Sequence, residues 1–423
     1  MSERQDTENL RPNAPSPEAE ESPSSPDSLL RGVTQEEEKA RRRQLLLLLL
    51  LLLLLLLCLC GTVYLFIRYL QKPEPLPELV PVPVEANYPP HYLFSIYGVD
   101  EPVGVALSPE GDRVYVAESA GERLIKVFDP EGNFLFSFAP PRTTPPQRVP
   151  VYLATDAWGR VYVSDRLQHA VFVYDRDGNF LDALLSPDLT LTEYVAQAFE
   201  GERPPGTLAF NLFEQAVYVL NEEGEIVQSL PAPPPVMRTP WAPLGVYIDP
   251  TGRLFLTDVI GEDHRVLVYP AEVIMRDDWT NFDPPVLSFG TAGEEEDQFL
   301  FPNMAVVDAL GRIIVSDGNN GRLSVWDEQG NFLYLFAAVG EGGLNLPRGM
   351  ELDDRQRLHV VDTVGQGVRV YDFSVPEPQY LFTFGTPGKL DGQFNFPVDI
   401  AITPEGRLYI TDRANNRVQV WSY

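Results

Sequence analysis

The 423-residue chain carries 32 Lys and Arg against 61 Asp and Glu, a net charge of −29, with 40 Pro, 31 Gly and two Cys. That balance argues against nucleic acid, whose phosphates need cationic surface. Two cysteines exclude a disulfide framework and a Cys-based zinc site. The length fits two or three average domains or one large repeat array.

Residues 1–43 are expected to be a disordered cytoplasmic tail. The first 38 are rich in Ser, Pro and Glu and hold too few large apolar side chains to offset chain entropy. The tail ends in Lys39, Arg41, Arg42 and Arg43, and thirteen leucines, Leu45 to Leu57, follow. The apolar run continues to Ile67, 23 residues in all, which at ~1.5 Å each crosses a ~30 Å hydrocarbon core. A cleaved signal peptide would have a shorter core and a small-residue cleavage site. The segment 44–68 therefore reads as a transmembrane signal anchor. The four cations before it outnumber Arg68 and Lys72 after it, which places the N-terminus in the cytoplasm and the remainder outside. Residues 69–90 are dense in proline, giving an extended stalk of about 50 Å.

From residue 91 the chain repeats. Gly159-Arg-Val-Tyr-Val-Ser-Asp165 matches Gly252-Arg-Leu-Phe-Leu-Thr-Asp258, Gly311-Arg-Ile-Ile-Val-Ser-Asp317 and Gly406-Arg-Leu-Tyr-Ile-Thr-Asp412, with looser copies ending at Glu118 and Asp362. An apolar strand precedes each copy, beginning at Pro102, Pro150, Pro243, Pro302, Pro347 and Pro397. A strand ending in an aromatic follows each: Phe128, Tyr174, Tyr269, Trp326, Tyr371 and Trp421. In several units a turn such as Asp177-Gly178-Asn179 leads into a fourth strand. Four short strands at a period of about 40–50 residues are the signature of a β-propeller.

The pattern resembles the NHL-repeat family, most closely in Asp412-Arg-Ala-Asn-Asn-Arg-Val-Gln-Val-Trp421, and next in Asp317, Asn319, Asn320 and Arg322. The expected fold class is all-β: a six-bladed propeller over 91–423, with seven blades as the alternative, preceded by one transmembrane helix. Tyr92–Tyr97 looks like a fourth strand lacking its first three, and the last unit stops after its third. The N-terminal strand is thus expected to close the last blade. An insertion at about 186–240 reads as a capped helix beginning at Thr190 and a hairpin. The fold itself hosts ligases, lyases, receptors and scaffolds, so it does not imply a function.

Three sets of residues are candidates for chemistry. Glu118, Asp165, Asp258, Asp317, Asp362 and Asp412 end the second strands, either as a cation-binding or basic-ligand rim or as caps of their own turns. Arg123, Arg265, Arg322 and Arg417 recur near them as expected partners. Second, Asn303, Arg348 and Asp399 interrupt the apolar residues that open the first strands, and could grip a small anionic ligand or neutralise one another. Third, resemblance to NHL-type amidating lyases, which hold zinc with histidines, draws attention to His91, His169, His264 and His359. His169 and His264 share one repeat position and could share a metal with Asp165 or Asp258, but three-His zinc is not supported. His359 reads as core. Resemblance to lactonase-type propellers brings calcium as the other metal, and the Arg among the channel candidates opposes it.

No nucleophile elbow, phosphate loop or soluble-domain cysteine occurs. Residues 91–423 hold 23 Lys and Arg against 48 Asp and Glu, the reverse of the basic face that RNA-binding NHL propellers use. The expectation is a single-pass membrane protein whose extracytoplasmic propeller binds a protein or peptide partner, a basic one if the acid rim is exposed, with no cofactor. The alternative is a metal-dependent lyase or lactonase-type enzyme using zinc or calcium at the channel mouth.

Overall fold

The computed structural model describes residues 26–71, 88–201, 204–271, 284–336, 340 and 342–423. They fall into two units, Met1–Gln71 and Lys72–Tyr423. The first is a helix, α1, spanning Pro26–Gln71. It contains the expected span, and Glu38–Tyr64 is long and apolar enough to cross a membrane. It also corrects the tail: the helix begins at Pro26, inside the segment read as disordered. Gln35 to Gln44 are nearly all good helix formers, so nothing separates them from the leucines. Residues 1–25 and the proline-rich 72–87 lie outside the described residues.

The second unit is built from antiparallel four-stranded sheets. The first comprises Pro102–Leu107, Val114–Glu118, Ile125–Phe128 and Phe134–Phe138. The second begins with Pro150–Thr155 and gains a short fifth strand, Leu189–Thr190. The third, fourth and fifth begin with Pro243–Ile248, Pro302–Val307 and Pro347–Leu352. The sixth joins Pro397–Ile402, Arg407–Asp412 and Arg417–Ser422 to His91–Ile96, from the other end of the domain. Its register sets Ile96 opposite Val418, so the strand expected to complete the last unit does so.

Each first strand starts at its proline because proline lacks the N–H that a ladder position needs, yet suits a strand's first residue. Immediately afterwards the register against the second strand slips in all six sheets. Such a bulge frees one residue from the ladder and re-aims its neighbours. The freed N–H groups of Tyr152, Gly245, Met304 and Asp399 donate to the hydroxyls of Ser164, Thr257, Ser316 and Thr411.

Hydroxyls also link neighbouring sheets. Thr155 Oγ1 donates to Leu107 O (2.6 Å), Ser164 Oγ to Leu244 O (2.6 Å) and Thr257 Oγ1 to Asn303 O (3.5 Å). Ser316 Oγ donates to Arg348 O (2.7 Å), Thr363 Oγ1 to Pro397 O (2.7 Å) and Thr411 Oγ1 to Val103 O (3.4 Å). The first strands are thereby joined in a cycle that returns to its start. Farther out, a fourth-strand aromatic of one sheet meets the third-strand aromatic of the next: Phe138 with Tyr174, Phe289 with Trp326, Phe336 with Tyr371 and Phe384 with Trp421, at 4.6 to 5.3 Å between centroids. Such contacts add about 0.5–1.5 kcal/mol each to the burial term.

The insertion departs from expectation in one respect. Helix α2, Leu191–Ala198, is capped by Thr190, whose side chain accepts from Glu193 N. The expected hairpin is a three-stranded sheet, Thr207–Asn211, Ala216–Leu220 and Ile226–Pro231. Its first strand lacks both the leading proline and the Gly-Arg signature.

Candidate functional site at the channel mouth

The six repeated acids are buried, each within its own unit, and do not form an open rim. Asp412 shows the arrangement in full. Its Oδ1 accepts from Asn395 N (2.7 Å), and its Oδ2 from Arg417 Nε (2.8 Å), Asn415 Nδ2 (2.8 Å) and Gln419 Nε2 (2.9 Å). Asp165, Asp258, Asp317 and Asp362 likewise accept from backbone N–H groups just ahead of their first strands, at Val149, Ala242, Leu300 and Leu346. Glu118 does so from Asp100 N. Each acid therefore pins the chain entering its sheet.

The arginine expectation holds in part. Arg265, Arg322 and Arg417 pair with Asp258, Asp317 and Asp412 at 2.8 to 2.9 Å. Arg123 does not reach Glu118, which pairs with Lys126 (2.7 Å); its guanidinium donates to Pro145 O and Arg148 O. Asp362 takes Arg369. Among the described residues Asp165 accepts from backbone N–H groups alone, and burial pushes its carboxyl up to about 6.

The histidines do not converge. His169 Nδ1 lies 3.0 Å from Trp241 O and His264 Nδ1 3.2 Å from Phe299 O, where they fasten loops between sheets. Among the described residues no group of three or more His, Cys, Asp or Glu has the geometry of a metal site. His359 is fully buried, with Nε2 2.6 Å from the Tyr423 hydroxyl, and burial lowers its pKa to about 4. His91 is exposed at the domain's edge.

Two cavities lie at opposite ends of the first strands. One, of about 320 Å³, opens where those strands begin and is lined by Val103, Val151, Leu244, Asn303, Arg348 and Phe301, with Ser119, Arg166, Asn319 and Arg413 around it. The other, of about 280 Å³, lies toward their ends and is lined by Met304, Met350, Glu351 and Asp399. Tyr152 stands between them. Val151 lines the first and Leu153 the second, its own ring is fully buried, and its hydroxyl reaches Asn303 Oδ1 at 3.5 Å.

The three channel candidates are thus divided. Asn303 and Arg348 share the first cavity, while Asp399 lines the second and accepts from Val105 N (3.0 Å). The expected Arg348–Asp399 pair does not form: Arg348 lies beside the Tyr152 hydroxyl, and its buried Nε has no hydrogen-bond partner. Burial pushes Asp399 up to about 7. Burial and the neighbouring Asp399 charge push Glu351 up to about 8.

Arg166, Arg413, Glu351 and Tyr152 were missed in the sequence. The first two were visible there in outline. The residue after each repeated acid is Ser119, Arg166, Val259, Gly318, Thr363 or Arg413, and in two units it places a cation at the mouth. Gly318 makes room instead: a Cβ there would stand 2.1 Å from Asn303 Nδ2.

Residues 394–421, most of the sixth sheet, match the NHL repeat model. The same strand order, acid and buried aromatic recur through the other sheets. The chain carries an NHL repeat. A stretch of 132 residues is 31% identical to Protein brain tumor of Drosophila melanogaster, covering 31% of this chain and 11% of that protein. The chain thus spans about a ninth of that relative's length. Among solved structures it is similar to streptogramin B lyase, with 12% identity, a TM-score of 0.46, and coverage of 79% of this chain and 98% of that one. Virginiamycin B lyase from Staphylococcus aureus with Quinupristin gives 10% identity and a TM-score of 0.47 over the same shares. A Bacteroides thetaiotaomicron structure of unknown function gives 14% and 0.48, covering 79% and 72%.

Proposed function

We propose that this NHL-repeat chain is a membrane-anchored, six-bladed propeller that binds a protein or peptide where its first strands begin. One observation carries the reading. Residues that recur from unit to unit are used up inside the sheets, whereas polar residues that depart from the repeat, Asn303, Arg348 and Arg166, line one cavity. A repeated residue serves the fold that every unit shares; a departure retained at the axis serves something outside it.

The cycle of hydroxyl links passes through six first strands and omits the three-stranded sheet, which supports six blades with an insertion. The apolar run in α1 supports the anchor, and the cations ahead of it support a cytoplasmic N-terminus with the propeller outside. The ground for a basic partner is weaker than the sequence suggested, because the six acids are buried. Among the described residues neither His169 nor His264 belongs to a group of three or more ligating side chains that could hold zinc or calcium.

The test is photo-crosslinking in native membranes from a probe at Asn319, beside the mouth, against one at Leu310, in the turn after the Pro302–Val307 strand. Protein adducts from Asn319 and not from Leu310 are expected. Adducts from Leu310 alone, or from neither, would overturn the reading.

A further inference from the structure

We infer that the mouth cavity recognises a carboxylate carried on an apolar group, an inference that rests on the mouth being the binding site. Its inner polar groups are set. Asn303 is buried and oriented, with Nδ2 donating to Phe301 O (2.9 Å) and Oδ1 facing the Tyr152 hydroxyl. Arg348 presents a guanidinium beside the Tyr152 hydroxyl that is in no ion pair of the described residues, and its Nε is buried without a hydrogen-bond partner. A guanidinium in that position favours an anion, and its planar fork matches a carboxylate.

Arg166 adds a second cation beside the cavity, exposed and outside every ion pair of the described residues. Arg413 is already engaged by Glu101 at 2.7 Å. The mouth therefore has two cations to spare within a chain of net charge −29. That combination suits one small anionic group and opposes a polyanion, which the remaining surface would repel.

The wall decides between an inorganic anion and an organic one. Val103, Val151, Leu244 and Phe301 line the same cavity, and an apolar side chain seated against them leaves water. A bare phosphate leaves that wall unused. Two sources offer the shared chemistry: the free C-terminus of a peptide ending in an apolar residue, and a small branched carboxylic acid.

The experiment is calorimetric titration of the full-length protein in detergent with four probes: N-acetyl-Gly-Gly-Leu, the same peptide as its C-terminal amide, 4-methylpentanoate and inorganic phosphate. The free-acid peptide is expected to bind and the amide to bind about tenfold or more weakly, as loss of a charge-assisted contact dictates. Arg348→Gln and the exposed Arg166→Gln are each expected to weaken the acid and leave the amide unchanged. The second variant guards against a folding defect in the first. Equal binding by 4-methylpentanoate assigns the carboxylate to a small acid, and weaker binding assigns it to a chain end. Equal binding of acid and amide, or of phosphate and peptide, would overturn the inference. No binding by any probe while the Asn319 crosslink still forms would overturn the ligand class alone; loss of that crosslink would remove the site itself.

Discussion

The two ends of the channel come from the same six strands and have opposite chemistry. Where the strands begin, Arg348 and Arg166 bring positive charge beside a buried amide; toward their ends, Glu351 and Asp399 bring two carboxyls against methionine. Tyr152 separates them, so cation and carboxyl do not cancel across the axis. The separation follows the strand direction: Val103, Val151, Leu244 and Arg348 line one cavity, and two residues on, Val105, Leu153, Val246 and Met350 line the other. A repeat otherwise uniform in its acids and aromatics keeps its individuality in those few residues.

The contrast breaks most sharply at Gly318. Replacing it with alanine would drive a Cβ into Asn303 Nδ2, and overpacking of that kind costs about 1–3 kcal/mol. Gly318→Ala is expected to lower the unfolding free energy, read from urea denaturation, by that amount and to abolish peptide binding at the mouth. The response of the carboxyl end to pH should be unchanged.

The carboxyl end is tested by pH, with a smaller effect. Glu351 and Asp399 hold protons more tightly when folded, up to about 8 and about 7. Their contribution to stability is therefore complete below the ordinary carboxylate range and is lost as pH rises through those values. His359, lowered to about 4, acts oppositely: its contribution is present above its ordinary value and is lost as pH falls toward 4. Between pH 8.5 and 6.5 only the carboxyls change, so the thermal midpoint is expected to rise by about 2–4 °C on acidification. Glu351→Gln should flatten that rise, as followed by scanning calorimetry. An unchanged slope would show that the two carboxyls do not differ from surface acids.

Much of this architecture was legible in the sequence. Every leading proline begins a first strand and every terminal aromatic lies buried between sheets, because the strand period and the turn residues are local signals. The ring of acids was legible in position but not in use. Sequence placed Asp412 and Arg417 together, while the hydrogen bond from Asn395 N, which makes the acid a clamp on the incoming strand, depends on tertiary folding. Arg123 was misassigned because its loop lets the side chain reach the Arg148 carbonyl while Lys126 takes Glu118. Asp399 was grouped with Arg348 because neither the bulge nor the fully buried Tyr152 ring can be read from strand periodicity. The Thr207–Asn211 strand escaped because it lacks the repeat's own markers.

The central claim is that recurrent charges hold the fold and departing charges face a ligand. It is tested most directly by making one substitution in both places. Arg322 pairs with Asp317 at 2.8 Å and donates to Glu294 O, Glu295 O and Gln298 O, whereas Arg348 has no carboxylate partner among the described residues. Urea unfolding of Arg322→Gln and Arg348→Gln, side by side in the full-length protein, compares them. The account predicts a loss of about 3–5 kcal/mol for Arg322→Gln, which leaves Asp317 buried without its cation. It predicts a change within about 0.5 kcal/mol for Arg348→Gln. Equal losses in the two variants would contradict it.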